Sequence, residues 1–350
     1  MVEISVIVPV YNVENYLDDC LNHITNQSFK DMEIICINDE SSDNSLDIIN
    51  RYCESDERII VINQKNQGAG ACRNTGIQMA KGKYIYFCDS DDYLKLKALE
   101  ELYNQAEKRD PDFIIFKLEN FDNETKEIIE DDYYSMPYLK NRVGDKLFSY
   151  DDVSDFALDI AVCSPGAFFK REFIYDIKFP EDLIFEDNVF FTNALFKADK
   201  IYFYDKFLYN RRVRSDSLSK SNPIKSLDTI EITNLLLDLT KQYNHPNHKG
   251  ELYYRIFNNM YNIFESCDEE YKEKVFLRLK KEYLKNKNKW KKDPYFKEKL
   301  NPRYKHIFKS AINSDEYLEF DLKVKLYDSK NKVKKLKKEN KLLKNKLNMC

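Results

Sequence analysis

Glycine is scarce in this chain, with seven in 350 residues. That scarcity excludes two familiar phosphate-cradling loops. A dinucleotide fold needs G-x-G-x-x-G straight after its first strand, where this sequence reads Pro9-Val10-Tyr11-Asn12, and no G-x-x-x-x-G-K-[ST] occurs anywhere. No apolar run approaches the roughly 18 residues of a membrane span. Eight cysteines are scattered singly, without a C-x-x-C pair. Reduced core thiols are therefore expected, as in the cytoplasm, in place of a disulfide framework. Of four histidines only His245 and His248 stand close together, and they are read as a surface loop. The chain opens at once into a strand, which leaves no room for a signal peptide.

What is present suits a folded protein of one large or two moderate domains. Aromatic residues make up 14% and charged residues 33%. The net charge of −4 hides a division, because residues 1–220 carry 26 basic against 42 acidic side chains and residues 221–350 carry 30 against 18. The two parts are expected to meet different surroundings, and nothing in either calls for nucleic acid.

The front half alternates strand and helix patterns. Strands are expected at Glu3–Tyr11, Glu33–Asn38, Arg58–Asn63 and Tyr84–Cys88. Helices are expected at Val13–Ser28, Ser42–Cys53 and Ala71–Ala80. Continuous apolar strands between helices predict a parallel sheet covered on both faces, an α/β nucleotide-binding architecture. The last of these strands runs into Asp89-Ser90-Asp91-Asp92. Ligands of open α/β sheets bind at that end of the strands. Carboxylates so close together repel unless a cation or donors compensate, and a hard divalent ion shared with phosphate oxygens is the natural compensator. The bland alternative is a solvated turn capping a helix from Lys95. Tyr11 and Asp39 stand at neighbouring strand ends, where a ring could stack on a base and a carboxylate could accept a pyrimidine N3–H; turn chemistry is the alternative for Asp39.

Four motifs in order, Ser5-Val-Ile-Val-Pro9-Val-Tyr11-Asn12, Asn38-Asp39-Glu40-Ser41-Ser42-Asp43, Gly68-x-x-x-x-Arg73-Asn74-x-Gly76 and Asp89-Ser90-Asp91-Asp92, resemble the family-2 glycosyltransferases of GT-A fold. The likeness is strong over residues 1–120 and weaker over 160–220. The family usually has Asp-Asp-Gly-Ser where this chain has Asn38-Asp39-Glu40-Ser41. The resemblance implies a nucleotide-sugar donor, a UDP-sugar, bound by Pro9, Tyr11, Asp39, Arg73, Ser90, Arg211 and Arg212. It implies Mn²⁺ or Mg²⁺ at Asp91 and Asp89. It also implies a catalytic base from the pair Glu186-Asp187, with Asp187 taking the proton of a carbohydrate or lipid-linked acceptor and the sugar transferred with inversion. A helix cap is the alternative for that pair.

Beyond residue 120 the alternation ends. Tyr133–Gly144 is read as an irregular acceptor-side loop, Cys163–Lys170 as a short strand returning to the sheet, and Ile201–Arg212 as one or two strands ending in a basic turn. From Pro223 onward the pattern is helical, with Lys287–Lys292 read as a basic linker carrying the only tryptophan, Trp290. Leu322–Leu347 reads as heptads with Asn340 at an a position, which predicts a coiled-coil homodimer. Nine lysines against two acids over Asp328–Cys350 predict instead a peripheral contact with an anionic membrane. The expected organisation is a catalytic domain over 1–220, a helical appendage over 221–320 and a basic tail over 321–350. Two further readings stay open. A sugar-nucleotide nucleotidyltransferase would want a Gly-rich loop with Arg and Lys after strand one, which is absent. A non-catalytic nucleotide-sugar scaffold would need neither the acidic turn nor Asp187.

Overall fold

The structure, a computed structural model, describes residues 2–161, 163–214 and 222–347, with side chains to residue 340. It divides into two compact units, Met1–Ser217 and Leu218–Cys350.

The first unit is built on one sheet. Strands β1 (Ile4–Val10), β2 (Met32–Asp39), β3 (Ile59–Gln64) and β4 (Tyr84–Phe87) are the four expected from the sequence, within a residue or two at each end. Every residue of β1, β2 and β4 is buried, which is why their apolar runs show no alternation. Strands β5 (Tyr93–Leu94), β6 (Phe113–Asp122), β7 (Ile128–Ile129), β8 (Leu147–Phe148), β9 (Ala167–Lys170) and β10 (Ile201–Val213) complete it. The order is β3-β2-β1-β4-β9-β6-β10-β5, with β7 beside β6 and β8 beside β10. The long pairings β1–β2, β2–β3, β1–β4 and β6–β10 are parallel, while β9 enters antiparallel between β4 and β6. Segment Cys163–Lys170 thus contributes the strand that closes the gap, and Ile201–Val213 is a single strand with register shifts near Phe207.

Helix α1 (Leu17–Thr25) buries Leu17, Cys20, Leu21 and Ile24, the i, i+3, i+4, i+7 set of one face. Helices α2 (Ser45–Ser55), α3 (Gly68–Met79) and α4 (Ala98–Arg109) follow their strands. The expected helix from Lys95 begins only at Ala98, because Tyr93 and Leu94 first pair with β10. Tyr133–Gly144 is not irregular. It forms two short helices, Asp132–Ser135 and Pro137–Val143, the first capped by the Asp131 carboxylate accepting from Tyr133 N.

Two glycines set how closely α3 packs. A Cβ on Gly76 would stand 2.4 Å from Ile7 Cγ2 of β1, and one on Gly70 would stand 2.2 Å from the Pro180 carbonyl oxygen. Backbone cannot yield as a side-chain tip can, so Gly70 fixes the distance between α3 and the segment Phe179–Glu186. Gly70→Ala is expected to destabilise the unit by about 1–3 kcal/mol, the usual cost of overpacking, measured by urea unfolding. It should also lower activity at temperatures where the variant is fully folded.

The second unit is helical, with helices Thr229–Gln242, Lys249–Tyr254, Met260–Ser266, Glu269–Lys292, Pro302–Ile312 and Tyr317–Leu347. A π-helical turn, Arg255–Asn259, lies between the helices Lys249–Tyr254 and Met260–Ser266. The basic linker expected at Lys287–Lys292 is instead the last turn and a half of the helix Glu269–Lys292. Trp290 is buried there, its Nε1–H donating to Asn234 Oδ1 at 2.7 Å and its ring meeting Phe257, Tyr283 and Phe308 edge-on. His248 is buried, and among the described residues no group of three or more His, Cys, Asp and Glu side chains is placed to hold a metal by itself. In the helix Tyr317–Leu347, Phe320 and Val324 are buried, whereas Leu318, Leu322, Leu326, Val333 and Leu336 are exposed. No helix of the described residues is long and apolar enough to cross a membrane.

Candidate active site

The acidic turn after β4 forms the floor of the site. Asp89 lies at the strand's end, and the Arg73 guanidinium of α3 donates to its Oδ1 at 2.8 Å. The other arm of Arg73 donates to Glu186 Oε1. One buried arginine therefore joins the acidic turn to the predicted base pair, over 113 residues of sequence, with its guanidinium 5.3 Å above the Phe179 ring. Burial by itself would lower the Arg73 pKa, but Asp89 and Glu186 outweigh it and hold the charge. Arg73 Nε–H is buried with no partner among the described residues. Removing such a cation leaves two carboxylates without compensation. Arg73→Met is expected to cost about 3–5 kcal/mol, read as a shift of the denaturation midpoint.

Asp91 is the second carboxylate of the turn. Its pKa is raised, first by burial and then by the charge of Asp89, with Arg214 acting against them. Arg214 Nη2 meets Asp91 Oδ2 at 2.7 Å. Asp92 points the other way, into the core. It accepts from Tyr209 Oη at 3.0 Å and from Arg212 N at 2.7 Å. Tyr209 Oη in turn accepts the Asp89 N–H at 3.3 Å, so a buried tyrosine locks the turn from below. Burial and then the Asp91 and Asp89 charges push the Asp92 pKa well above the carboxylate range. Ser90 is buried between these residues.

Asp187 is the first residue of the helix Asp187–Lys197, and Glu186 precedes it. Neither caps by its side chain: Glu186 is committed to Arg73, and Asp187 Oδ1 accepts from Asn188 Nδ2 at 3.2 Å. The Asp187 pKa is raised to about 7, by burial first and by the Glu186 charge second, with Arg73 opposing. A carboxyl poised near neutrality is suited to taking a proton from a hydroxyl.

The nucleotide-side candidates divide. Tyr11 follows β1 and is exposed, as a stacking platform must be, while Pro9 is an interior residue of β1. Asp39 ends β2 and is buried, with its carboxylate accepting from Gln64 Nε2 at 2.9 Å, Gln67 N at 3.1 Å and Gly68 N at 2.8 Å. It thereby holds the loop that leads into α3. Glu40, next to it, has φ +62°. This is the left-handed conformation that a glycine takes at no steric cost, and glycine is the residue the family usually has at this position.

Arg211 and Arg212 behave differently from each other. Arg211 lies 5.4 Å over the Tyr134 ring. Arg212 is buried and donates to Asp91 O at 2.7 Å, Asn123 Oδ1 at 2.9 Å and Asp19 Oδ2 at 3.2 Å. The arginine facing the acidic turn's second carboxylate is Arg214. Tyr16, which precedes α1 and belongs to none of the four motifs, lies under both Arg212 and Arg214, at 5.0 and 4.7 Å.

Asp89 and Asp91 fit a hard divalent cation. They offer carboxylate oxygens at a site where burial, and after it the Asp89 charge, raises the Asp91 pKa. They are too few to form a protein cage, a donor set that suits an ion shared with substrate phosphates.

Residues 5–177 match the family described as glycosyl transferase family 2. That domain belongs to this family. Its family-2 domain is similar to GlyA, a glycosyltransferase of Streptococcus pneumoniae, with 34% identity over 223 residues that cover 62% of this chain and 32% of GlyA. It is also similar to the poly(ribitol-phosphate) beta-glucosyltransferase of Bacillus spizizenii, 43% identical over 120 residues that cover 33% of this chain and 19% of that protein. The matches thus span about a third or less of these relatives' own lengths. Among solved structures, TarS residues 1–349 of S. aureus in complex with UDP-GlcNAc aligns with a TM-score of 0.68 at 20% identity, covering 93% of this chain and 92% of that one. That likeness gives the family-2 domain its GT-A fold.

Proposed function

We propose that the chain transfers a sugar with inversion from a nucleotide-sugar, a UDP-sugar, to a glycan or lipid-linked hydroxyl in cell-surface polysaccharide synthesis. The observation that carries the reading is the single cluster Asp89, Asp91, Arg73, Glu186 and Asp187 at the C-terminal end of the sheet. A scaffold that merely held a nucleotide-sugar would have no use for a carboxyl tuned to about 7 beside it. The nature of the relatives agrees, since one is named for glucosylating a poly(ribitol-phosphate) and the structural neighbour was solved with UDP-GlcNAc.

In this reading Tyr11 stacks on the base and Asp39 accepts its N3–H, displacing the Gln64 side-chain amide while the backbone donors Gln67 N and Gly68 N stay in place. Asp91 and Asp89 hold Mn²⁺ or Mg²⁺, which supplies Lewis-acid neutralisation of the leaving diphosphate. Arg73, held against Asp89 and Glu186, and Arg211 supply fixed positive charge beside the charge that develops on the leaving group. Arg212 holds the acidic turn in shape, and Ser90 within that turn borders the donor. Asp187 accepts the acceptor hydroxyl's proton while the hydroxyl oxygen attacks the anomeric carbon from the face opposite the diphosphate, which gives inversion. Glu186 keeps Arg73 in place and keeps the Asp187 pKa high.

A panel of UDP-, GDP- and dTDP-sugars in Mn²⁺, scored for slow donor hydrolysis without acceptor, tests the reading. Release of UDP from one UDP-sugar well above the others is expected. Turnover confined to GDP-sugars would overturn the pyrimidine assignment, turnover confined to dTDP-sugars would keep the role of Asp39 but exclude a UDP-sugar, and no hydrolysis with any donor would favour the scaffold.

A further inference from the structure

The helical unit contains a cavity walled by one sign of charge. It measures about 270 Å³ and lies between the helices Glu269–Lys292 and Pro302–Ile312. Lys287 and Lys291 line it from the first helix, Lys305 and Lys309 from the second, over a base formed by Phe296 and Phe308. No carboxylate lines it. Each pair is spaced i, i+4, which places both lysines on one face of their helix, where like charges repel.

Other lysines of this unit are neutralised. Lys285 and Lys289, on the same helix, meet Glu231 at 3.3 Å and Asp238 at 2.7 Å, and Lys249 meets Asp293 at 2.8 Å. The four cavity lysines have no ion pair among the described residues, and Lys305 donates only to the Lys297 carbonyl at 2.7 Å. Lys287 and Lys305 are half-buried, so water screens their charge less than at an open surface. Four ammonium groups around one cavity, with acids placed against their neighbours instead, is an arrangement that an anion stabilises. Lysine recognises phosphate as a point charge with three donors. A single phosphate or sulfate would leave roughly half the charge unmatched, whereas two adjacent phosphates would balance it.

We propose that this cavity binds a ligand carrying two neighbouring phosphate groups. The site is independent of the transferase reading and stands on the second unit alone. Its chemistry is that of a diphosphate, which free pyrophosphate and a polyprenyl diphosphate headgroup share. Trp290 reports on it, because its ring lies 6.0 Å from Phe308 of the cavity base and no other tryptophan is present.

The test titrates inorganic pyrophosphate, and separately sulfate, into the full chain in EDTA, following Trp290 fluorescence and heat. Saturable pyrophosphate binding at least tenfold tighter than sulfate is expected. Lys287→Gln/Lys309→Gln, which keeps helix propensity, should weaken it at least tenfold with an unchanged far-UV spectrum. Lys274→Gln/Lys281→Gln makes the same charge change outside the cavity and should leave it within about twofold. Equal loss in both variants, or no loss in the first, overturns the proposal. Vesicles containing polyprenyl diphosphate, matched in charge with phosphatidylglycerol vesicles, separate the sources. Preferential sedimentation with the former, lost in the first variant, assigns the headgroup. Its absence alongside pyrophosphate binding assigns a soluble diphosphate.

Discussion

Asp187→Asn is expected to lower kcat by about 10²–10⁴, the usual worth of a positioned general base, with donor affinity nearly unchanged. The substitution keeps the shape of the side chain at the start of its helix and removes only the proton acceptor. Because burial and Glu186 raise the Asp187 pKa to about 7, wild-type kcat should rise with pH through that value and flatten above it. The variant's residual rate should lose this inflection. Stability should move the opposite way. A carboxyl whose pKa is higher folded than unfolded binds its proton more tightly in the native state, so its contribution to stability is full below the unfolded value near 4 and is lost as pH rises through about 7. Asp187→Asn should therefore be more stable than wild type at pH 8, which separates lost chemistry from lost folding. Glu186→Gln should cost less activity. An inactive Glu186→Gln beside an active Asp187→Asn would reverse the assignment within the pair.

Asp91→Ala should abolish turnover and greatly weaken nucleoside-diphosphate binding in Mn²⁺, while leaving the fold intact. The fold is expected to survive because the turn is held from below by Asp92, Tyr209 and Arg212, and because Asp91 adds repulsion to that cluster. EDTA should reproduce the loss in the wild type, and Mn²⁺ should restore it there but not in the variant. Calorimetric titration with UDP in the presence and absence of Mn²⁺ reads both effects. Undiminished turnover in EDTA would sink the assignment of Asp89 and Asp91 to a cation and leave the arginines as the leaving-group's partners.

The parts legible in the sequence were those carried by local pattern. Strands β1 to β4 announced themselves as apolar runs, and the acidic turn by three carboxylates in four positions. The parts that were not legible depend on contacts between distant residues. Nothing near Arg73 signals that Glu186 will take half of its guanidinium, or that Asp39 will spend its lone pairs on the Gln67–Gly68 loop. The misread linker at Lys287–Lys292 has a simpler cause. The buried stripe of that helix passes through Glu282 and Asn286 before reaching Trp290. A polar pair inside a core stripe breaks the apolar period, although Asn286 Nδ2 donates to the Glu282 carbonyl and Glu282 Oε1 accepts from Arg278. The short helices at Asp132–Val143 were hidden because few of their residues are buried.

The strand order also sets a timetable for synthesis. β6 ends at Asp122, but its parallel partner β10 begins only at Ile201. Until the ribosome has delivered that strand, one edge of β6 lacks its longest ladder and the nascent unit exposes an apolar edge to other chains. The acidic turn waits as well: Asp92 is tied to Arg212 across 120 residues, and Asp91 to Arg214. Arg73, made earlier, is paired in the interim with Asp89 alone of the three carboxylates. Folding of this unit should therefore be slow and late, as contacts of such sequence separation require. A chain truncated before Ile201 should be captured by chaperones or aggregate, with its acidic turn formed in sequence but not in shape.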